Sequence, residues 1–231
     1  MCAVRARVYV DGFNFYYGAV RGTQGRKWLD FRKFGERIIP GGAALDEVHY
    51  FTTRVSARPN DPDGPTRQDA LLRALKTLRG VHVHEGSIKA TLKRRTLVDP
   101  QPTRTNRKGR PIGPYVSLAS LGWPSHAWTY NTEEKQSDVN LAVKLVSDCL
   151  DGLIDVAVVV SDDTDLSTPV AVVRARGCRV LILSPRGYWL RDLAPDPRDL
   201  RRIHTGVLEA CQMPDPIVLA GGGTIRKPRG W

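Results

Sequence analysis

The chain has 231 residues, with 35 Lys and Arg against 24 Asp and Glu, a formal charge of +11 and 41% apolar residues. That balance excludes a wholly disordered chain, and with no apolar run near the roughly 20 residues that cross a bilayer it excludes a membrane-embedded one. At about 150 residues per domain the length fits one domain with sizeable insertions, or at most two, and the basic excess points to a polyanionic partner.

Arg7-Val8-Tyr9-Val10 is β-branched and apolar and stops at Asp11-Gly12, the pattern of a strand and its turn. Phe15, Tyr16 and Tyr17 beside Asn14 could stack on bases, but aromatics that follow a strand are expected mainly in the core. A helix is expected over 28–39, a strand over 47–53, and an amphipathic helix over 66–78, where Ala70, Leu71, Ala74, Leu75 and Leu78 recur at helical spacing. Val81-His82-Val83-His84 reads as a short third strand, with both histidines on one side and expected to pack rather than bind a metal. Residues 89–131 contain five Pro and three Gly and lose all periodicity, which marks a long insertion. Ser137 is placed to cap a helix through Leu150, and 153–160 is the β-branched run of a strand buried on both faces. Ser161-Asp162-Asp163-Thr164-Asp165 follows, then a helix to Arg176, Gly177 as its stop, and a strand over 179–183.

Strands alternating with helices predict an α/β fold with a mainly parallel sheet. Ligands of such sheets sit at the carboxyl ends of the strands, where Asp11 and the Asp162, Asp163, Asp165 group both fall. Carboxylates converging there repel one another unless a cation neutralises them. Mg²⁺ or Mn²⁺ prefer oxygen ligands, and such ions can activate water and stabilise the leaving oxygen of a phosphodiester. Singly, an Asp after a strand is as readily a turn former or helix cap; the convergence of Asp11, Asp138, Asp163 and Asp165 from independent segments favours a metal. Charge is also segregated, with eight basic residues and one acid over 87–115 and seven acids and one Lys over 138–165.

The segment Val8-Tyr9-Val10-Asp11-Gly12-Phe13-Asn14-Phe15-Tyr16-Tyr17 resembles the opening of an NYN domain, of the PIN-like nuclease superfamily that includes the LabA-like proteins. Lys135-Gln136-Ser137-Asp138-Val139 is similar to that family's Lys-Gly-x-Asp-Val helix start, and Ser161-Asp162-Asp163-Thr164-Asp165-Leu166 to its Ser-Gly-Asp-Ser-Asp-Phe. Arg176-Gly177-Cys178-Arg179-Val180 matches its step into the next strand, so the resemblance runs to about Pro214. It implies a PIN-like, Rossmann-like domain over 1–214, with the insertion at 89–131 and a Gly-rich basic tail over 215–231. It further implies a Mg²⁺- or Mn²⁺-dependent ribonuclease with Asp11, Asp138, Asp163 and Asp165 as catalytic metal ligands and Asn14 beside the first of them. Ser161 and Thr164 would orient a ligand or phosphate, and Lys135 would touch substrate phosphate or simply lie at the surface. Lys93, Arg94, Arg95, Arg107 and Lys108 would hold the RNA backbone, and composition leaves DNA open.

Two departures stand out. Asp162 occupies a family Gly position, where it would either distort the metal site or, as expected here, point to solvent; Gln136 and Ser137 replace a Gly-containing turn before Asp138. Rival readings are a PIN-like RNA-binding regulator with little catalysis, and a haloacid dehalogenase-type phosphatase built on Asp163-Thr164-Asp165. Cys2, Cys149, Cys178 and Cys211 form no C-x-x-C pair and read as reduced thiols of a cytoplasmic protein.

Overall fold

The structure, a computed structural model, describes residues 3–57, 61–97, 104–105, 111–112, 122 and 124–231. The strands in chain order are β1 (Val4–Asp11), β2 (Ala43–Thr53), β3 (Val81–Thr96), β4 (Arg104–Thr105), β5 (Pro111–Ile112), β6 (His126–Lys135), β7 (Val156–Val160), β8 (Arg179–Ser184), β9 (Leu200–Arg202), β10 (Ile217–Val218) and β11 (Thr224–Ile225). The α-helices are α1 (Gly12–Phe15), α2 (Phe31–Ile38), α3 (Gly64–Leu75), α4 (Ser137–Leu150), α5 (Ser167–Ala175) and α6 (Thr205–Ala210). Two units divide the chain: Met1–Ser87 with Glu134–Trp231, and Ile88–Glu133.

The first unit is built on the strand order β3-β2-β1-β7-β8-β9, in which every neighbouring pair is parallel. From β1 the chain steps outward through β2 to β3, then returns to place β7 on the other side of β1. The order therefore reverses between β1 and β7, which is where sheets of this kind bind ligands.

Side chains alternate across these strands because the side-chain period of a strand is two. Val8 and Val10, Val158 and Val160, and Leu181 and Leu183 face one side, packed with Phe31 and Phe34 of α2 and Leu72 and Leu75 of α3. Tyr9, Ala157, Val159 and Ile182 face the other, packed with Leu141 and Leu145 of α4 and Val170 and Val173 of α5. With both faces covered, β7 and β8 are continuous apolar runs, as the sequence predicted. Burying each such side chain contributes roughly 1.5–3 kcal/mol.

Several boundaries moved for local reasons. The helix expected from 28 is α2, and it starts at Phe31 because Leu29 bridges to Gln212 and Asp30 caps the helix, its carboxylate accepting from the Lys33 amide at 3.0 Å. The third strand runs on to Thr96 instead of ending at 84. Ser137 is not a cap: it is the first residue of α4, buried, and Gln136 holds the cap position at φ +80, left-handed backbone that Gly adopts without strain. Residues 215–231, expected as a tail, form the β10–β11 hairpin and bury Ile225.

In the second unit β3 neighbours β6. The Leu97 amide donates to the Ser125 carbonyl at 2.9 Å and the Thr129 hydroxyl to the Lys93 carbonyl at 3.0 Å, the descending register of an antiparallel pair. β4 and β5 pair antiparallel. Among the described residues no helix is long and apolar enough to cross a membrane.

Candidate active site

Asp11 ends β1 with its side chain turned inward, 5% exposed. It caps the short helix that follows: one carboxylate oxygen accepts from the Asn14 amide at 2.9 Å, the other from Asn14 Nδ2 at 2.7 Å. Ser161, fully buried just past β7, donates from Oγ to the same Asp11 oxygen at 2.9 Å and accepts from the Asp163 amide at 3.0 Å. One hydroxyl thus ties the ends of the two strands that flank the reversal of strand order. Asp163 in turn accepts from the Asp165 amide at 3.0 Å, opening a single 3₁₀ turn over Thr164–Leu166.

Burial pushes the Asp11 carboxyl above the usual carboxylate range; the hydrogen bonds from Asn14 and Ser161 oppose that push, and the nearby charge of Asp163 adds to it. A buried carboxylate raised by a second carboxylate is an electrostatic arrangement that a cation relieves.

The structure brings Asp11, Asn14, Ser161 and Asp163 together by direct contact. Asp165 and Thr164 are exposed on the turn beside them, and Asp138 is exposed at the second residue of α4, a helix that packs against β1 and this turn. The expected cage of four aspartates is not assembled: among the described residues no three His, Cys, Asp or Glu form a group able to hold a metal by themselves. The donor chemistry still fits a small hard cation, because Mg²⁺ characteristically takes one or two carboxylates and fills its other positions with water and substrate phosphate. Asp11 and Asp163 are the two carboxylates here that would suit such a pair. His82 and His84 pack, as expected, against His49 of β2, with His82 stacked at 5.3 Å and His84 Nε2 lying 3.0 Å from His49 Nδ1.

Asp162 corrects the expectation of a solvent-facing side chain. Its carboxylate is 3% exposed; it accepts from the Ser184 hydroxyl, from the Arg186 amide at 2.9 Å, and lies 3.5 Å from the Arg186 guanidinium. Arg186 also donates to Asn14 Oδ1 at 2.8 Å. A cation is thereby fixed two contacts from Asp11, by a residue that the sequence reading did not single out. The signal was available: an extra anion in place of a glycine calls for a neutralising partner, and Arg186 follows β8, whose end lies at the same edge.

The aromatic run after Asp11 divides. Phe15 is core, edge-on to Phe31 at 5.2 Å and 3% exposed, whereas Tyr16 and Tyr17 are 37% and 40% exposed. In the second unit Lys93, Arg94 and Arg95 are exposed on β3. Arg107 and Lys108 lie outside the described residues, as does the side chain of Lys135 at the end of β6.

A family model described as the NYN domain matches residues 5–194. A Pseudomonas putida protein named 6-hydroxy-3-succinoylpyridine 3-monooxygenase HspA is 32% identical over 254 residues, covering 99% of this chain and 75% of that protein. Among solved structures, a protein of unknown function, VPA0982, from Vibrio parahaemolyticus matches with a TM-score of 0.50 at 16% identity, covering 88% of this chain and 94% of that one. That last likeness is one of fold.

Proposed function

Because this chain belongs to the NYN domain family, we propose that it is a Mg²⁺- or Mn²⁺-dependent ribonuclease that hydrolyses phosphodiester bonds at the edge between β1 and β7. The family has a nuclease-type fold, which counts against the phosphatase reading, and the observation that carries the proposal is the Asp11–Ser161–Asp163 group at the reversal of strand order. Asp11 and Asp163 would hold the ion, with Asp138 and Asp165 on neighbouring elements. When bound, such an ion activates water and offsets charge on the phosphoryl oxygens.

The chain's own residues do the rest. Asn14 and Ser161 hold the Asp11 carboxylate in one orientation and favour its ionised form against burial. Arg186, clamped by Asp162, offers positive charge to a phosphate oxygen beside Asn14. Lys93, Arg94 and Arg95 supply sequence-independent affinity for the RNA backbone, together with Arg107, Lys108 and Lys135. A cytoplasmic setting belongs to the same proposal and rests on the cysteine spacing in the sequence.

The test is cleavage of end-labelled RNA with Mn²⁺ by the wild type and by Asp11→Asn and Asp163→Asn, with folding followed by circular dichroism. Each variant should stay folded and lose cleavage by about a hundredfold or more, as removal of a group that stabilises developing charge does, and chelation should stop the wild type. A folded wild type that binds RNA and never cuts it defeats the proposal and leaves the regulatory reading.

The Pseudomonas relative favours a second reading, oxygenation of a small heteroaromatic ring. One atom of O₂ would enter the ring and the other leave as water, with two electrons from a reduced nicotinamide or flavin. Loss of 6-hydroxy-3-succinoylpyridine under those conditions, in a preparation that leaves RNA intact, would replace the ribonuclease.

A further inference from the structure

Next to Asp11 in the chain, Gly12 forms part of the wall of a cavity of about 230 Å³, lined also by Phe13, Tyr16, Tyr17, Tyr50 and Arg21. The wall depends on Gly12 having no side chain: a Cβ there would stand 2.7 Å from both the Phe51 carbonyl oxygen and the Tyr50 ring. Phe13 and Tyr17 stack with centroids 6.2 Å apart, and Tyr16 meets Tyr17 edge-on at 5.2 Å. The Arg21 guanidinium lies 5.0 Å from the Tyr17 ring centroid and is exposed, with no ion pair among the described residues. Arg67, by contrast, is engaged by Asp61 on the same lining.

From these features we propose that the cavity is a binding site for a planar aromatic ring carrying an anionic group. The volume falls below the roughly 300 Å³ at which sites for drug-sized ligands begin, which suits one ring system. Tyr16 and Tyr17, both exposed and both lining the cavity, favour a π-system, since contact with an aromatic cluster depends on ring geometry rather than on hydrogen-bond readout. Arg21, held over a ring and paired with no carboxylate among the described residues, supplies charge for the anion. A nucleotide unit of RNA and a free aromatic carboxylate share this chemistry; the RNA source rests on the ribonuclease reading above, and the aromatic acid does not.

The experiment is calorimetric titration of the full chain with adenosine 5′-monophosphate and, separately, with nicotinate, for the wild type, Tyr17→Leu and Arg21→Gln. Both side chains are exposed, so the variants should keep the wild-type melting temperature. At least one compound should bind, and each variant should weaken it by about tenfold, the scale of one lost stacking or charge contact. Preference for the nucleotide identifies an RNA subsite, and preference for nicotinate a small-molecule site. No binding of either compound at millimolar concentration, or equal binding by both variants and wild type, overturns the inference. RNA cleavage run in parallel separates the two readings: nucleotide binding without cleavage defeats the ribonuclease and keeps the site, whereas cleavage without ring binding does the reverse.

Discussion

The buried histidine of β2 makes stability depend on pH in a calculable way. His49 is 2% exposed, stacked on Tyr9 at 5.5 Å, with Nδ1 3.0 Å from His84 Nε2 and Nε2 3.2 Å from Glu47 and 3.7 Å from Asp148. Burial, with the charges of Lys144 and His84, drives its pKa down to about 3, against the opposing pull of Asp148. The unfolded chain therefore binds this proton near pH 6.5 and the folded chain does not. Stability contributed by neutral His49 is complete above the unfolded pKa and is lost as pH falls toward the folded one. One proton costs about 1.36 kcal/mol per pH unit, so lowering pH from about 6.5 to about 5 removes roughly 2 kcal/mol.

His84, also depressed, chiefly by burial, adds to the loss in the same direction. Asp148 does not contribute in this window. Burial would raise its carboxyl, but hydrogen bonds from Lys144 and Tyr9 and the charge of Arg7 outweigh that and hold it below the usual range, so its stabilisation fades only below about pH 4. Urea unfolding followed by circular dichroism at about pH 7, 6 and 5 should show the decline. His49→Gln, less stable at neutral pH, should show a smaller slope between about pH 6.5 and 5 because the titrating group is gone. A wild-type stability that is flat across that window, or an unchanged slope in the variant, would refute the buried neutral imidazole.

Three further outcomes follow from particular contacts. Gln136→Gly should stabilise the chain by up to about 1 kcal/mol, because the left-handed backbone costs an L-residue roughly 1–2 kcal/mol, offset in part by glycine's greater unfolded entropy and by the lost 3.2 Å bond from Ser87; a loss of stability on denaturant unfolding contradicts this. Asp162→Ala should cost about 1–3 kcal/mol through the unpaired Ser184 hydroxyl and Arg186 amide. A double-mutant cycle with Arg186→Ala should return under about 1 kcal/mol for the partly exposed ion pair, and no destabilisation by Asp162→Ala would mean the carboxylate faces solvent after all. Replacing Lys93, Arg94 and Arg95 together by Ala should reduce the slope of log affinity for single-stranded RNA against log salt by about 2, at roughly 0.7 per cation; an unchanged slope removes these residues from the interface.

What was legible from residues alone is what a single segment encodes. The apolar run at 7–10 specifies a strand, those at 153–160 and 179–183 strands covered on both faces, and alternation with helices specifies a parallel sheet. The Asp that ends β1 and the acidic group after β7 reach one edge because parallel strands all finish on the same side. Family motifs over the same stretches carry the likeness to the NYN domain. Contacts made between segments were not legible, since they depend on strand order, register and which way a side chain turns. Arg186 reaches Asp162 and Asn14 because β8 lies beside β7 and ends at their edge. Phe15 went into the core while Tyr16 and Tyr17 stayed at the cavity, a division set by the tight turn after Asp11 rather than by residue type. His49 met Tyr9 and His82 only through the pairing of β2 with both β1 and β3, and that pairing, taking the imidazole out of water, made an ordinary histidine a group that stays neutral.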